Sequence, residues 1–385
     1  MKYSHLQKTL IKLKNENAFR QPRVLDVKGH SASIKSDSLV NFSSNDYLGI
    51  AGNIDLQKDF FQQAGTSKHN WMSASSSRPL TGTSSSHAEL ERLLANSYDK
   101  PKALLFNSGY HANTGILPSI TSDQDLVLAD KFVHASLIDG LRLGDAKFKR
   151  FAHNNLDHLA QLLEKYRNEF RDVWIVTESV FSMDGDIAPL IELVALKNKY
   201  QCCLYVDEAH AVGCFGANGL GVAEQLNLVA KIDIIVGTFG KSLAGCGGYA
   251  VGEQTLIDSM INFSRSWLFS TALPPINIDW NIFIWHQLAN LNNERTTLAD
   301  LSTFFKTGLE DIGKEYLGNS HIVPIIEPGN GNVVELSAKL ERKGILAMPI
   351  RSPTVAAGSE RIRFSLTANI PKSAISHCLG SINDL

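Results

Sequence analysis

Cysteine is scarce in this chain, and motif spacing pairs none of it. Cys202, Cys203, Cys214, Cys246 and Cys378 are the five among 385 residues, and no two form C-x-x-C. An odd count in a chain this long points to reduced thiols, and it removes the usual thiolate set for zinc. One-sided charge is missing too. The 37 basic and 39 acidic residues give −2, which argues against a broad electrostatic footprint for nucleic acid. No run of 18 apolar residues occurs, so no membrane-spanning helix is expected. The start, Met1-Lys2-Tyr3-Ser4-His5-Leu6, lacks the apolar core of a secretory signal. A cytoplasmic setting is expected. There is no internal repeat and no low-complexity linker.

The length exceeds a single hydrophobic core, so a large domain with a smaller one is expected. Leu6, Leu10 and Leu13 give residues 1–20 the spacing of an amphipathic helix. From about residue 100 to 252 short apolar runs alternate with helical stretches. The spacing predicts strands at 103–106, 126–129, 173–177, 202–206, 232–236 and 249–251, and helices at 135–144, 157–170 and 190–200, with Asp157 as an N-cap. This rhythm implies an α/β fold: a mostly parallel sheet in a three-layer α/β/α large domain. After Pro274-Pro275 a helix-rich stretch leads to strands at 322–326, 345–350 and 361–366 and a helix at 332–343, a smaller α+β domain. The expected boundaries are 1–45, 46–285 and 286–385. The serine-rich stretch 73–86 reads as a loop.

Two residues carry most of the chemical signal. Cys202-Cys203-Leu204-Tyr205-Val206 ends in Asp207, and Ile232 to Val236 leads through Gly237-Thr238-Phe239-Gly240 to Lys241. An acid and an amine at the carboxyl ends of buried parallel strands lie on the rim where open α/β sheets bind ligands. A lysine bonded to an aldehyde, with an aspartate keeping a pyridine nitrogen protonated, is the protein's half of pyridoxal phosphate chemistry. Lys241 alone could be a solvated turn residue, and Asp207 alone could be a helix N-cap. Val206-Asp207-Glu208-Ala209-His210 also imitates a helicase acidic box, but a P-loop is absent around Lys241 because Ile235 stands where its first glycine belongs.

Other candidates surround this pair. His210 follows Asp207 by three residues, and His134 stands at a helix start where its ring could stack on an aromatic cofactor. Ser108-Gly109-Tyr110 joins a strand to a helix, the place where orphan N–H groups bind phosphate. Ser182 is a turn hydroxyl. Alternation puts Arg361 and Arg363 on one strand face, and a guanidinium fork clamps carboxylates well; an exposed, solvated face is the bland alternative.

In order along the chain, Asn41–Gly49, Phe106–Tyr110, the segment around His134, Val180–Gly185, Val206–His210, Thr238–Lys241, Phe269–Pro275 and Arg361–Arg363 resemble the α-oxoamine synthases. These are pyridoxal-phosphate enzymes of the aspartate-aminotransferase fold (fold type I). The resemblance implies that Lys241 bonds covalently to pyridoxal 5′-phosphate, Asp207 pairs with the ring nitrogen, His210 with the phenolic oxygen, and His134 stacks on the ring. It implies that Gly109, Tyr110, Ser182 and Thr238 line the ring and phosphate, with Thr271 reaching the phosphate of a neighbouring subunit in a homodimer. Arg363 would hold the substrate carboxylate, and Arg20 and Thr354 would contact the acyl substrate.

Ile350–Val355 and Arg361–Ala368 resemble the members that join L-alanine to a pimeloyl thioester, of coenzyme A or a carrier protein, in biotin synthesis. Other members take glycine with acetyl- or succinyl-coenzyme A. Met72-Ser73-Ala74-Ser75 carries serines where the alanine enzymes usually have glycines, and resembles the autoinducer synthases of the same family.

Overall fold

Strands sealed on both faces need side chains that water never reaches, and the central runs of this chain supply them. Leu126–Asp130, Val173–Glu178, Ile234–Thr238 and Gly248–Gly252 are buried along their whole length in the computed structural model. Residues 2–34, 37–64 and 71–385 are described. They divide into two compact units. One contains residues 54–181 and 187–295, and the other contains 1–53, 182–186 and 296–385. The N-terminal segment thus groups with the C-terminal residues.

The first unit is built on a seven-stranded sheet. Its order is Lys102–Phe106, Gly248–Gly252, Ile234–Thr238, Cys203–Asp207, Val173–Glu178, Leu126–Asp130 and Lys147–Phe151. Gly248–Gly252 runs antiparallel to both neighbours, and the remaining pairings are parallel. Register sets the site: Glu178 lies opposite Asp207, and Asp207 opposite Val236, so three strands deliver their carboxyl ends side by side. Lys147–Phe151 is a strand the apolar pattern does not reveal. It closes one edge of the sheet, and Lys147, Lys149 and Arg150 stay exposed there, as edge strands that avoid further pairing require.

The helix expected at 157–170 ends at Tyr166, before a 3-10 turn at Arg167–Glu169, and its cap differs too. Leu156–Tyr166 is capped by Asn155, whose Oδ1 accepts from the His158 N–H at 2.8 Å. Asp157 lies in the first turn, where its charge suits the helix dipole but makes no cap. The stretch 73–86 is a loop only in part. Arg78–Gly82 forms a π-helical turn, held because the Arg78 guanidinium is drawn inside to Glu91 (2.8 Å) and Thr83 (2.9 Å), and Ser85 opens the helix Ser85–Ser97.

In the second unit, Ile322–Ile326, Arg361–Ser365 and Pro349–Ile350 form an antiparallel sheet, while Asp26–Lys28, Ser31–Ile34, Asp37–Asn41 and Ile345–Leu346 form another. The expected strand 345–350 is therefore two. The Met348 N–H turns to Ser43 Oγ (2.8 Å) and Pro349 has no N–H, so the ladder breaks between the sheets. The helix Ser4–Asn15 buries no residue fully, and Leu6 and Leu10 are exposed. Among the described residues no disulfide forms, and no helix is long and apolar enough to cross a membrane.

Gly237 lies opposite Tyr249 in the ladder, and a Cβ there would stand 2.3 Å from the Tyr249 ring. Tyr249 is fully buried and hydrogen-bonded to Tyr98 at 2.8 Å. Gly237→Ala should lower stability by about 1–3 kcal/mol through overpacking. A thermal midpoint unchanged from wild type would contradict this packing.

Candidate active site

The carboxyl ends of Val173–Glu178, Cys203–Asp207 and Ile234–Thr238 open into a cavity of about 180 Å³. Gly109, Tyr110, Asn113, His134, Ser136, Glu178, Asp207, Ala209, His210, Thr238 and Lys241 line it. Asp207 and Lys241, 34 apart in the chain, thus line one cavity because adjacent parallel strands end together. Lys241 Nζ lies 2.8 Å from His210 Nε2.

Asp207 is 5% exposed, yet both its oxygens have donors. Oδ2 accepts from Asn113 Nδ2 at 2.8 Å and Oδ1 from the Ala209 N–H at 2.9 Å. His134 is the N-cap of Ala135–Leu143. Its Nδ1 faces Ser136 Oγ (2.7 Å) and accepts from the Ser136 N–H, while its own backbone N–H donates to Glu178. Burial pushes the His134 imidazolium below its ordinary pKa, with Asp207 opposing and Lys241 adding to that shift. Gly109 opens the helix Gly109–Ile120, whose N-cap Ser108 serves the His111 N–H at 3.1 Å. The first N–H groups of such a helix have no intrahelical acceptor and suit an anion. The Thr238 hydroxyl donates to the Gly247 carbonyl (2.9 Å) and accepts from Gly240 N–H (3.2 Å), so its proton is already engaged.

Thr271 is exposed and stands outside this lining. Its carbonyl accepts from Asn107 Nδ2 at 2.7 Å. Ser182 and Arg363 belong to the other unit. Arg363 is 8% exposed, so the solvated strand face does not hold. Its fork reaches the Ser182 carbonyl (2.6 Å), Ser365 Oγ (2.6 Å), Asn45 Oδ1 (3.2 Å) and Tyr47 OH (3.2 Å), all neutral groups. Arg361 beside it pairs with Asp184 at 2.7 Å. Arg20 donates to Thr354 Oγ1 at 2.6 Å, both exposed.

Three lining residues escape a reading based on motifs: Asn113, Ser136 and Glu178. Glu178 ends the apolar run Val173–Thr177 just as Asp207 ends its own, a signal that was there to use. Asn113 is a weak helix former inside a helix of buried small and apolar residues, a position that polarity alone marks as engaged.

The comparisons accord with this geometry. The model of the family Aminotransferase class I and II matches residues 37–382. The chain belongs to this family of pyridoxal-phosphate enzymes, in its α-oxoamine synthase branch. An 8-amino-7-oxononanoate synthase of Haemophilus ducreyi is 46% identical over 379 residues, 97% of this chain and 98% of the relative. Serine palmitoyltransferase of S. paucimobilis, solved with a PLP–myriocin adduct, superposes with a TM-score of 0.89 at 28% identity, covering 100% of this chain and 97% of that one. The 8-amino-7-oxononanoate synthase structure from Francisella tularensis gives 0.74 at 28% identity, covering 90% and 97%. In α-oxoamine synthase terms the fold type I sheet and its strand-end cleft are both present.

Glu208, next to Asp207, is fully buried and accepts from Ser179 Oγ and from the Ala223 and Val222 N–H groups (2.7 and 3.1 Å). Burial pushes its carboxyl from 4.5 up to about 7. The native state then binds more protons than the unfolded chain between these values, so this group's contribution to stability falls as pH rises through that window. Glu208→Gln should flatten the pH dependence of urea unfolding between about pH 5 and pH 7. A slope equal to wild type would contradict the shift.

Proposed function

We propose that this chain condenses L-alanine with a pimeloyl thioester, releasing CO₂ and coenzyme A or a carrier-protein thiol, to give 8-amino-7-oxononanoate for biotin synthesis. The chain would work in the cytoplasm as a homodimer. The observation that carries the chemistry is one cleft holding the Lys241 amine against His210, with the buried Asp207 carboxylate. The substrate pair rests on the near-full-length relatives that bear the alanine enzyme's name.

The residues fit pyridoxal 5′-phosphate: a primary amine for its aldehyde, a buried carboxylate for its ring nitrogen, and a helix start for its phosphate. When bound, this cofactor supplies a protonated ring that accepts the electron pair freed at the amino acid's Cα. Asp207 would keep the proton on that ring nitrogen through a charge-assisted hydrogen bond. His210 would serve the phenolic oxygen, and His134 would lie against the ring. By the family resemblance Gly109, Tyr110, Ser182 and Thr238 would serve the ring and phosphate, and Thr271 would serve the partner's cofactor.

Arg363, a buried cation whose described partners are all neutral, takes the alanine carboxylate. Lys241, its amine freed from the aldehyde by exchange with the amine of alanine, would remove the Cα proton, and the carbon would then displace the thiol from the thioester carbonyl. The carboxylate then departs as CO₂, and a proton returns to Cα. Arg20 and Thr354 contact the acyl chain.

A second reading has a specific observation behind it: the serine palmitoyltransferase structures superpose over the whole chain. An assay of L-alanine with pimeloyl-coenzyme A, against L-serine with palmitoyl-coenzyme A and glycine with acetyl- or succinyl-coenzyme A, decides. Turnover should be fastest with the first pair, and a preference for another pair would replace the substrate assignment.

Removing a general base typically lowers a rate by about 10²–10⁴. Lys241→Ala should lose more, because the cofactor anchor goes too. Asp207→Asn should still bind cofactor at saturating pyridoxal phosphate, more weakly than wild type, yet slow exchange of the alanine Cα hydrogen in deuterated water by about 10² or more. Exchange at the wild-type rate would overturn the role given to Asp207.

A further inference from the structure

Tyr205 and Asp207 are two apart in one strand and so share a face, and Asn113 bridges them from the helix Gly109–Ile120. The Tyr205 hydroxyl donates to Asn113 Oδ1 at 2.6 Å. Asn113 Nδ2 gives its two protons to Asp207 Oδ2 (2.8 Å) and Ser136 Oγ (3.0 Å). The Ser136 N–H donates to His134 Nδ1 (3.2 Å), which makes that nitrogen an acceptor, so Ser136 Oγ directs its own proton to it at 2.7 Å. Tyr205 and Ser136 are completely buried, and Asn113 is 3% exposed.

The chemistry of the partners fixes every direction in this chain. An ionised carboxylate only accepts, so the amide must turn its NH₂ to Asp207. Its oxygen then faces Tyr205, whose phenol must donate. Burial raises the Tyr205 pKa well above its ordinary value, with Asp207 adding to the shift, so that proton stays in place. A reversed amide would set oxygen against carboxylate and NH₂ against a phenol.

We infer that Asn113 is a positioning residue: Tyr205 locks its amide in one orientation, and the amide aims and stabilises the Asp207 carboxylate while tying it through Ser136 to His134. No part of the reaction requires Tyr205 to touch a ligand. It acts only through Asn113. The inference rests on the proposed pairing of Asp207 with the cofactor's ring nitrogen.

The test is a double-mutant cycle on reconstituted holoenzyme. It reads the dissociation constant for pyridoxal phosphate and, with ¹⁵N-labelled cofactor, the protonation of its ring nitrogen. Loss of a hydrogen bond to a charged group should weaken cofactor binding about tenfold to a hundredfold in Asn113→Leu. Tyr205→Phe, which removes one oxygen and keeps the packing, should weaken it about threefold to tenfold. Both should shift the ring nitrogen signal toward the unprotonated position. In the Asn113→Leu background, Tyr205→Phe should add less than about twofold, because its route to Asp207 is already cut.

An equal Tyr205→Phe effect in both backgrounds, or no effect in either, overturns the relay. If Asn113→Leu does not fold, Tyr205→Phe alone decides by the ring nitrogen signal, which a general loosening of the core would not move. Asp207→Asn separates the two levels. A ring nitrogen still protonated in that variant would defeat the cofactor pairing itself, whereas normal Asp207→Asn behaviour with silent Tyr205→Phe would defeat only the relay.

Discussion

A carboxylate inside a sheet must be paired, hydrogen-bonded or neutralised. Asp207 meets that condition at the end of Cys203–Asp207, where Asn113 and the Ala209 N–H each hold one oxygen. Much else in the first unit follows from that constraint. Its strand is flanked on both sides by parallel neighbours, so Glu178 is brought level with it and Thr238 just beyond. The turn after Asp207 carries His210, and the turn after Thr238 carries Lys241, so amine and imidazole meet beside the acid. The sheet is the frame, and the charge at its rim decides which side chains the adjoining helices must present.

Two neighbouring acids show how environment separates roles. Asp207 has a side-chain amide and a backbone N–H as donors and faces a cavity. Glu208 points the other way, into the protein, where it fastens Ser179 and the start of the short helix Val222–Gln225. One acid thus faces the cavity, and the other is spent on holding buried groups together. The paired arginines of the second unit divide in the same spirit. Arg361 has Asp184 as its counter-ion, while the described partners of Arg363 are neutral oxygens.

Much of this was legible in the amino-acid order because burial on both faces leaves an unbroken apolar run. Most of Val173–Glu178 and Ile234–Thr238 is read from such runs, and Lys241 beyond the second marks the rim as Asp207 does at the end of its own strand, while Glu178 went unread. Lys147–Phe151 was not legible, since an edge strand needs charge where an inner strand needs valine. Asn155 displaced Asp157 as a cap because either side chain suits the position by composition and only backbone geometry chooses. Polarity marks Asn113 as engaged but does not name its partners, and Ser136 carries no mark at all. Their importance lies in what they touch across 94 and 23 positions of sequence, and no local pattern records a contact of that range. The family resemblance supplied roles for Lys241, Asp207, His210 and His134, but the partners that orient those groups emerged from the coordinates.

The central claim is that the Lys241 amine carries an aldehyde cofactor by a reducible bond. Borohydride reduction of the purified holoenzyme, followed by proteolysis and mass spectrometry, tests it most directly. The account predicts one stoichiometric phosphopyridoxyl group, on the peptide containing Lys241. Label on another lysine, or none on a protein that had bound pyridoxal phosphate, would contradict it.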